Sequence, residues 1–490
     1  MQTWIEVETA GVNFGDERLN RRYELLLERM GDKPTLSIPA ACHGWAETKA
    51  AYRFFDNDKT TAAKVLEPHR DATLERIRAH KLVIVAQDTT EIELQRERER
   101  VGGPLSDETR WGIYTHPLLA LTPERVPLGV VETAIWSRDP VEFAKSQAEK
   151  RLARKAKPIE QKESVRWLKG YQSACALAVQ APQTTIVAVS DSEGDIYECL
   201  QAGSEARSDA GSDAGSEAGE ERRAEYIVRG CQDRAVLEEE CPLIMGTLAC
   251  RRILGTMTIQ VSKRKASTGD KTKKRKQARE AREAHVTVRA ARVLLRGPGR
   301  PGGKLPDIDV NAILVKEEHP PAGAEAIEWL LFTRLPIETF AEVTTVLGYY
   351  CCRWEIEVYF HTLKSGCKIE ELQLERQDRY EVCLAMYMIV AWRVLYLLML
   401  GRTSPEMPCD EVLTEAEWKS VYIIATKEQP PATPPPLAEM VPMIAEMGGY
   451  INRKNDGPPG PQTMWIGLQR MRDFAIAWDA FGPQAKKSYG

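Results

Sequence analysis

The chain has 490 residues, a formal net charge of −4 and a sequence pI of about 6.1. This length predicts roughly two to four domains with cores of their own, and the charge balance argues against a uniformly basic coat for nucleic acid. The 11 cysteines form no C-x2-C pair, which argues against a zinc site and against a disulfide framework.

Residues 15–62 are predicted to form a small helical unit that carries basic side chains. The stretch GDERLNRRYELLLERM favours one helix, which includes Arg22, and a second helix is expected over Gly44–Phe55, which includes Arg53. Basic side chains on a compact helical unit suit contacts with DNA phosphates and groove edges. An ordinary helical cap with solvated arginines explains the same pattern equally well. The preceding residues show no basic apolar leader, so we expect no secretion signal.

Two apolar runs, each predicted to be a buried strand, are each followed by an aspartate. The apolar run Leu82–Ala86 precedes Asp88, and the similar run Thr185–Val189 precedes Asp191. Continuous apolar runs are typical of strands that are buried on both faces. One aspartate at a strand end would usually be a helix N-cap or a turn residue, because a buried anion needs a compensating cation or hydrogen bonds. Two such aspartates, with a glutamate farther along the chain, indicate a site for a hard cation such as Mg²⁺.

The chain between and after these strands alternates between folded and low-complexity segments. Further strands are expected at Thr115–Leu121 and Gly129–Val131, and Glu142–Trp167 is expected to be mostly helical with a break at Pro158. Residues 203–221 form a repeating acidic tract of small residues, which predicts a disordered insertion. A mainly β segment follows over about 232–333.

A basic run lies inside that β segment. Residues 262–282 contain ten lysines and arginines against two acids. Such density between two strands favours contact with a polyanion, although a solvated loop is the general alternative.

The stretch YCCRWEIEVYFHTLK, residues 350–364, is predicted to be one helix because it contains neither glycine nor proline. At ~100° per residue, Tyr350, Arg353, Glu357 and Lys364 would share an arc of about 60°. A solvated face with ion pairs could show the same row. Because aromatic residues flank these four polar residues, we interpret the polar face as a functional site.

The C-terminal part is predicted to be helical. Cys383–Leu400 is nearly long enough to span a bilayer, but Arg393 interrupts it, so we expect a buried core helix and no membrane partner. Two further helices are expected at Leu437–Met447 and Pro461–Phe481.

These pieces together resemble the cut-and-paste DDE transposases of bacterial insertion sequences, in the branch with a Y-R-E-K helix (insertion-sequence family four, transposon-five type). The resemblance is carried by the segments GDERLNRR, AYRFFDN, AQDTTE, VSDSEGDIYE, EWLLFTRLP, YCCRWEIEVYFHTLK and GGYINRKNDGPPG. It implies an α/β fold with an RNase H-like catalytic core and a mainly β insertion. Helical N-terminal DNA-binding and C-terminal domains would flank the core. We place the boundaries at 1–62, 63–400 and 401–490. Two features depart from the family pattern, namely the acidic tract and Glu355, where a basic residue is more usual.

The resemblance also implies roles for individual residues. Asp88, Asp191 and Glu357 would be the catalytic residues and would hold two Mg²⁺ ions, for which Mn²⁺ can substitute. The DNA contacts would come from Tyr350, Arg353 and Lys364 beside the site, from Trp329 stacked on a flipped base, from Arg22 and Arg53 on the terminal inverted repeat, and from Arg229. For Trp329 a core position, and for Arg229 a structural ion pair, remain open.

The implied function is cut-and-paste transposition. The protein would bind transposon-end DNA, cleave it and join it to target DNA in the bacterial cytoplasm. The C-terminal part would pair two protomers in a synaptic homodimer, although an intramolecular cap explains it nearly as well. The alternatives are a metal-dependent nuclease or resolvase, and an inactive DNA-binding regulator of the same fold.

Overall fold

The computed structural model describes residues 3–42, 44–95, 101–107, 109–143, 149, 153, 156–204, 222–261 and 280–482. The chain divides into two compact units. The central unit comprises Lys81–Asp88 and Val141–Arg353, and the flanking unit comprises Met1–His80, Thr89–Pro140 and Trp354–Gly490. Most of the predicted acidic tract (205–221) and of the basic run (262–279) lies outside the described residues.

The strands of the described residues follow one another in this order: β1 (Leu82–Gln87), β2 (Thr90–Glu93), β3 (Gly103–Pro104), β4 (Trp111–Leu121), β5 (Pro127–Trp136), β6 (Thr185–Ser190), β7 (Glu225–Gly230), β8 (Gly255–Val261), β9 (Arg282–Leu295), β10 (Gly299–Arg300), β11 (Gly303–Lys304), β12 (Ile308–Lys316) and β13 (Glu328–Thr333).

The helices of the described residues are α1 (Trp4–Glu8), α2 (Glu17–Asp32), α3 (Ile38–Ala41), α4 (Trp45–Phe55), α5 (Ala62–Arg78), α6 (Pro140–Phe143), α7 (Val165–Gln180), α8 (Tyr197–Ser204), α9 (Ile244–Ala249), α10 (Phe340–Cys351), α11 (Trp354–His361), α12 (Gln377–Thr403), α13 (Glu415–Thr426), α14 (Leu437–Met447) and α15 (Pro461–Phe481).

The central unit is built on a mixed sheet with the strand order β1-β6-β7-β13-β12-β9-β8. The strands β1, β6 and β7 are parallel, and the remaining neighbours are antiparallel. The first two are buried over nearly their whole length, as their apolar sequences predict. The predicted β segment therefore continues the same sheet as the parallel strands and does not form a separate one.

The described residues on either side of the acidic tract are hydrogen-bonded to each other in the central unit. The helix α8 ends at Ser204, and the chain is described again from Arg222 onward. Arg223 donates a hydrogen bond from Nη1 to the carbonyl oxygen of Ala202 at 3.0 Å. The hydroxyl of Tyr171 donates to the carbonyl of Ala224 at 2.9 Å. The prediction of a disordered tract cannot apply to Gly203 and Ser204, which are helical.

In its described part, the segment Glu142–Trp167 agrees with the predicted helix and its break at Pro158, since residues 142, 143, 149, 153 and 156 are helical and Pro158 is not. After Pro158 only a short 3₁₀ turn, Ile159–Gln161, is present, and the next helix, α7, starts at Val165. This helix packs against β1 and β6. It buries Trp167, Tyr171, Ala174, Leu177 and Ala178. This spacing is that of an amphipathic helix over the sheet, and the first three residues of α7, 165–167, are the last three of the predicted segment.

In the flanking unit, the first helices enclose an aromatic cluster. The ring of Phe14 lies 5.6 Å from that of Tyr23 and 5.4 Å from that of Phe54. The helix α12 is apolar and long enough to cross a membrane by length and composition, with a mean hydropathy of 2.0 in its most apolar window. Because 94% of that window is buried inside the protein, α12 is the core helix that the sequence predicts.

The prediction of one helix over residues 350–364 is wrong. The helix α10 ends at Cys351, and the N–H groups of Cys352 and Arg353 bond three residues back, to Tyr349 and Tyr350. The helix α11 begins at Trp354 and ends at His361, and a π turn follows over Thr362–Gly366.

A change in the phase of the apolar positions explains the break. The helix α10 buries Val343, Val346, Leu347 and Tyr350. At 3.6 residues per turn this stripe would continue near position 354 and position 357, which are exposed. The buried positions of α11 are instead Ile356, Tyr359 and Phe360. One uninterrupted helix cannot bury both sets on a single face, so it ends between them.

Candidate active site and nucleic-acid interface

Asp88 and Asp191 follow neighbouring parallel strands of the central unit. The register of β1 and β6 pairs Ala86 with Val189, so two residues later Asp88 lies opposite Asp191. Parallel neighbours are about 4.8 Å apart, which brings the two aspartates together at the carboxyl edge of the sheet. Both residues are half-buried. Carboxylate oxygens on adjacent strand ends are donors of the kind that hard divalent cations prefer.

A tight turn holds Asp191 in place. Its Oδ1 accepts the N–H of Glu193 at 2.8 Å, so the side chain caps the 3₁₀ turn Ser192–Gly194. Gly194 packs closely on Ser190, where an added Cβ would lie 2.4 Å from the serine Oγ. The backbone of this turn therefore has little freedom to move away from the end of β6.

The carboxylate of Asp88 is paired with Arg353. The guanidinium Nη1 of Arg353 donates to Oδ2 of Asp88 at 3.1 Å, and the two side chains are 6% and 15% exposed. A buried anion beside a buried cation avoids the cost of an isolated charge. Arg353 therefore lies at the predicted site, although it belongs to the turn between α10 and α11 and not to a helix.

Tyr350 joins this pair to two further predicted residues. Its hydroxyl interacts with both Arg229 and Arg353. Burial raises the pKa of Tyr350, and the two guanidinium groups oppose that rise. The ring of Trp329 meets the ring of Tyr350 edge-on, with centroids 5.8 Å apart. Trp329 is half-buried at the start of β13, and Arg229 lies near the end of β7. One cluster of the central unit thus contains Asp88, Arg229, Trp329, Tyr350 and Arg353.

Glu357 and Lys364 belong to the flanking unit. Glu357 is exposed on α11. The ammonium of Lys364 lies 3.9 Å from Oε1 of Glu370, and burial lowers the pKa of Lys364 despite that carboxylate. The backbone N–H of Glu93 donates to the same oxygen of Glu370 at 3.1 Å. The π turn displaces Lys364 from the helical phase on which the predicted row was based.

Arg22 and Arg53 are carried by α2 and α4 of the flanking unit. Arg22 is half-buried, and Arg53 is exposed in the last turn of α4. Neither forms an ion pair with another described residue. The aromatic cluster beneath them fixes the two helices, so both cations are presented on a rigid support.

The carboxylates of Asp88 and Asp191 are of a chemical type that binds divalent cations, but a complete set of metal ligands is not assembled among the described residues. Among the described residues, no group of three His, Cys, Asp or Glu side chains is arranged to hold a metal ion. Asp88 and Asp191 are adjacent, and they supply oxygen ligands next to a cationic guanidinium that already balances negative charge. This chemistry fits a hard cation.

The sequence analysis missed Asp195 and Arg234. The carboxylate of Asp195 is fully buried and is held by Arg234 and by two backbone N–H groups. The sequence did contain a signal for Asp195, because this residue belongs to the same motif as Asp191. The spacing of four residues between the two acids does not indicate which of them is buried.

Comparison with protein-family models gives three matches along the chain. Residues 1–60 match the transposase DNA-binding model, residues 217–393 match the transposase DDE domain, and residues 389–481 match the Tn5 transposase dimerisation domain.

A solved structure of piggyBac transposase in a synaptic complex with hairpin DNA aligns with 73% of this chain at 10% identity and a TM-score of 0.28. The aligned part spans 60% of that chain. A score this low does not establish a shared fold.

Proposed function

Since this chain belongs to the Tn5-type DDE transposases, with an RNase H-like core, we propose that it performs cut-and-paste DNA transposition. It binds the terminal inverted repeats of its element, cleaves the DNA at those ends and joins them to a target DNA. The single observation that supports this most strongly is the pair of aspartates, Asp88 and Asp191, on adjacent ends of parallel strands.

The domain division is part of this proposal. Residues 1–62 bind the element ends, residues 63–400 form the catalytic core with its β insertion, and residues 401–490 form the dimerisation domain. The matched ranges 1–60 and 389–481 support the two outer assignments, although the second begins before position 401.

Asp88, Asp191 and Glu357 are the proposed catalytic and metal-binding residues. A DDE domain implies dependence on a divalent metal, and we propose two Mg²⁺ ions, with Mn²⁺ as a substitute. When bound, such ions would supply Lewis-acid chemistry for phosphodiester displacement, at the oxygen that attacks and at the oxygen that leaves. In this proposal the three carboxylates would hold the ions. Because Arg353 pairs with Asp88 in this structure, Asp88 would serve as a ligand once a DNA phosphate attracts Arg353 away from it.

The residues around Asp88 are suited to hold a DNA backbone. Arg353 and Arg229 present planar guanidinium groups that match phosphate oxygens, and the hydroxyl of Tyr350 lies between them. Trp329 offers an indole on which an extruded base can stack. We propose that Lys364 adds a cation beside the site, and that Arg22 and Arg53 contact the inverted repeat.

We further propose that two copies of the chain pair on the two element ends. A dimerisation domain supports a homodimer, and a DNA-binding domain supports DNA as the partner. The buried α12 supports a protein that acts away from membranes. We assign the activity to the bacterial cytoplasm, at the nucleoid.

The direct test uses the purified protein, Mg²⁺, DNA with the element's own ends and a supercoiled target plasmid. Joined products are expected. Cleavage without joining would instead favour a metal-dependent nuclease or resolvase. Binding without cleavage would favour an inactive DNA-binding regulator.

A further inference from the structure

Asp195, four residues after Asp191, is a buried carboxylate that accepts several hydrogen bonds. Its side chain has no solvent-exposed surface. Oδ2 accepts the backbone N–H of Cys231 at 2.8 Å and that of Gln232 at 3.1 Å. Oδ1 accepts Nε of Arg234 at 3.0 Å and also bonds Nη2 of the same guanidinium. A buried carboxylate that accepts four hydrogen bonds holds the segments that supply the donors in one specific arrangement.

The attachment extends to the backbone of Asp195. Nη2 of Arg234 also donates to the carbonyl oxygen of Asp195 at 2.9 Å, and Nε2 of Gln232 reaches the same oxygen at 3.4 Å. The guanidinium of Arg234 is itself placed near the ring of Tyr197, 5.7 Å from its centroid. Arg234 therefore binds both the side chain and the main chain of Asp195.

This attachment joins the two loops that leave neighbouring strands. The turn Asp191–Asp195 follows β6, and residues 231–234 follow β7, which pairs in parallel with β6. Bonds from Asp195 to the second loop consequently fix the far end of the turn that begins with Asp191. The near end is held by the bond from the N–H of Glu193 to Oδ1 of Asp191, and Gly194 packs against Ser190.

We infer that the Asp195–Arg234 pair is a positioning element that fixes the orientation of the Asp191 carboxylate toward the metal site. The inference rests on the proposed function for the role of Asp191. Asp195 would act only through Asp191, because its own oxygens are all occupied within the protein. The motif therefore contains one acid for the metal and one acid for its support.

The test compares Asp195→Asn with a matched control, Glu317→Gln. Glu317 is 3% exposed, pairs with Arg282 with an Nη2–Oε2 distance of 2.8 Å, and accepts the N–H of Ile327 at 3.0 Å. It follows β12, which is three strands from β6 in the sheet order, or roughly 14 Å by strand spacing. Both variants break a buried arginine–carboxylate pair in the same unit, but only one pair holds the Asp191 turn.

Hydrogen exchange measured by mass spectrometry, without metal or DNA, is the first readout. In Asp195→Asn we expect amides of residues 191–196 to exchange at least about tenfold faster, while Glu317→Gln leaves them unchanged. Unchanged exchange in Asp195→Asn would overturn the inference. If this variant does not fold, Arg234→Lys serves instead, since lysine keeps the charge but loses the guanidinium fork. Arg234→Lys should accelerate the hydrogen exchange of the same amides, but by a smaller factor.

The second readout is nicking of element-end DNA as a function of Mn²⁺ concentration. We expect the half-saturating Mn²⁺ concentration to rise about tenfold or more in Asp195→Asn and not in Glu317→Gln. Equal metal dependence in both variants would mean that the pair supports only stability. If the wild-type protein nicks no DNA, the proposed function fails, whereas the exchange measurement still decides whether Asp195 holds the turn.

Discussion

The guanidinium of Arg353 lies 3.1 Å from the carboxylate of Asp88, in a pair whose members are separated by 265 positions in the sequence. In this structure the proposed metal ligand is thus balanced by a cation of the protein itself. A DNA phosphate that attracts Arg353 would leave Asp88 available to a metal ion. Binding of DNA and binding of metal should therefore support each other.

The first prediction follows from this pair. Arg353→Gln leaves the Asp88 charge without its guanidinium, which should cost ~3 kcal/mol of unfolding free energy. A divalent cation can replace the lost charge, so Mg²⁺ should raise the melting temperature of Arg353→Gln more than that of the wild type. The double variant Arg353→Gln with Asp88→Asn is the control and should show no such gain. Equal Mg²⁺ shifts in the single variant and the wild type would contradict the prediction.

The second prediction concerns the proposed catalytic carboxylates. Asp88→Asn, Asp191→Asn and Glu357→Gln should each abolish strand cleavage and leave binding to element ends largely intact, because each removes metal-binding charge without emptying space. Nicking assays in Mg²⁺ and gel-shift titrations measure the two properties separately. Appreciable nicking by any of these variants would remove that residue from the catalytic set.

The third prediction concerns recognition by the N-terminal helices. Arg53→Ala should weaken binding to cognate ends by ~1–2 kcal/mol and reduce the salt slope of binding by about one. Arg78→Ala is the control, since Arg78 is also an exposed arginine of the flanking unit but pairs with Glu75 on its own helix. Gel-shift titrations over a range of salt concentrations provide the measurement. If the two variants bind alike, Arg53 is an ordinary surface residue.

The fourth prediction separates stacking from packing at Trp329. Trp329→Ala should preserve the first nick and end binding but slow release of the second strand, because an extruded base loses a stacking surface worth about 1–3 kcal/mol. A time course with 2-aminopurine at the terminal bases reports the extrusion. Trp392→Ala is the core comparison. Trp392 is buried and donates to the carbonyl of Pro127 at 2.7 Å, so its loss should cost ~3–5 kcal/mol. A comparable melting loss in both, with unchanged fluorescence for Trp329→Ala, would make Trp329 a core residue.

The fifth prediction concerns stability in acid. His69 is fully buried, its Nε2 accepts the N–H of Val130 at 3.0 Å, and its Nδ1 bonds the carboxylate of Glu8. Burial lowers the pKa of His69 below its usual 6.5. Burial alone would raise the pKa of Glu8, but His69 and Arg76 together hold it below its usual 4.5.

Both lowered pKa values make the folded protein less stable in acid. The unfolded chain takes up protons at a higher pH than the folded chain, so the stability contributed by His69 is complete above pH 6.5 and is lost as the pH falls below it. Glu8 adds a further loss below about pH 4.5. Urea unfolding at pH 7.5, 6 and 5 should show this decline, and His69→Gln should flatten the part between pH 7.5 and pH 5. A wild-type stability that does not change over that range would contradict the assignment.

Some of the site could be predicted because the relevant signal is local. Strands buried on both faces have continuous apolar sequences, so the ends of β1 and β6, and with them Asp88 and Asp191, were evident. That the two strands are neighbours in register was not evident, since pairing depends on the whole sheet. The contact between Arg353 and Asp88 gave no local signal for the same reason.

The break before α11 could have been found from the sequence. The apolar positions up to Tyr350 and those from Ile356 onward follow different helical phases, which one straight helix cannot satisfy. The spacing of the four polar residues fitted a single helix equally well, and polar spacing alone does not determine which face is buried. The phase of the apolar residues is the more reliable guide to continuity because burial contributes more free energy than exposed polar pairs.

The bond between Arg223 and Ala202 has a consequence for how this chain can change in length. It brings the two described ends of the segment 205–221 together within the central unit. The entropic cost of closing a loop rises by only ~0.6 kcal/mol for each doubling of its length. A replacement of 205–221 by a short glycine–serine linker, or by a fluorescent reporter domain, should therefore leave folding intact. This position offers an internal labelling site for following the protein on DNA while both termini remain native.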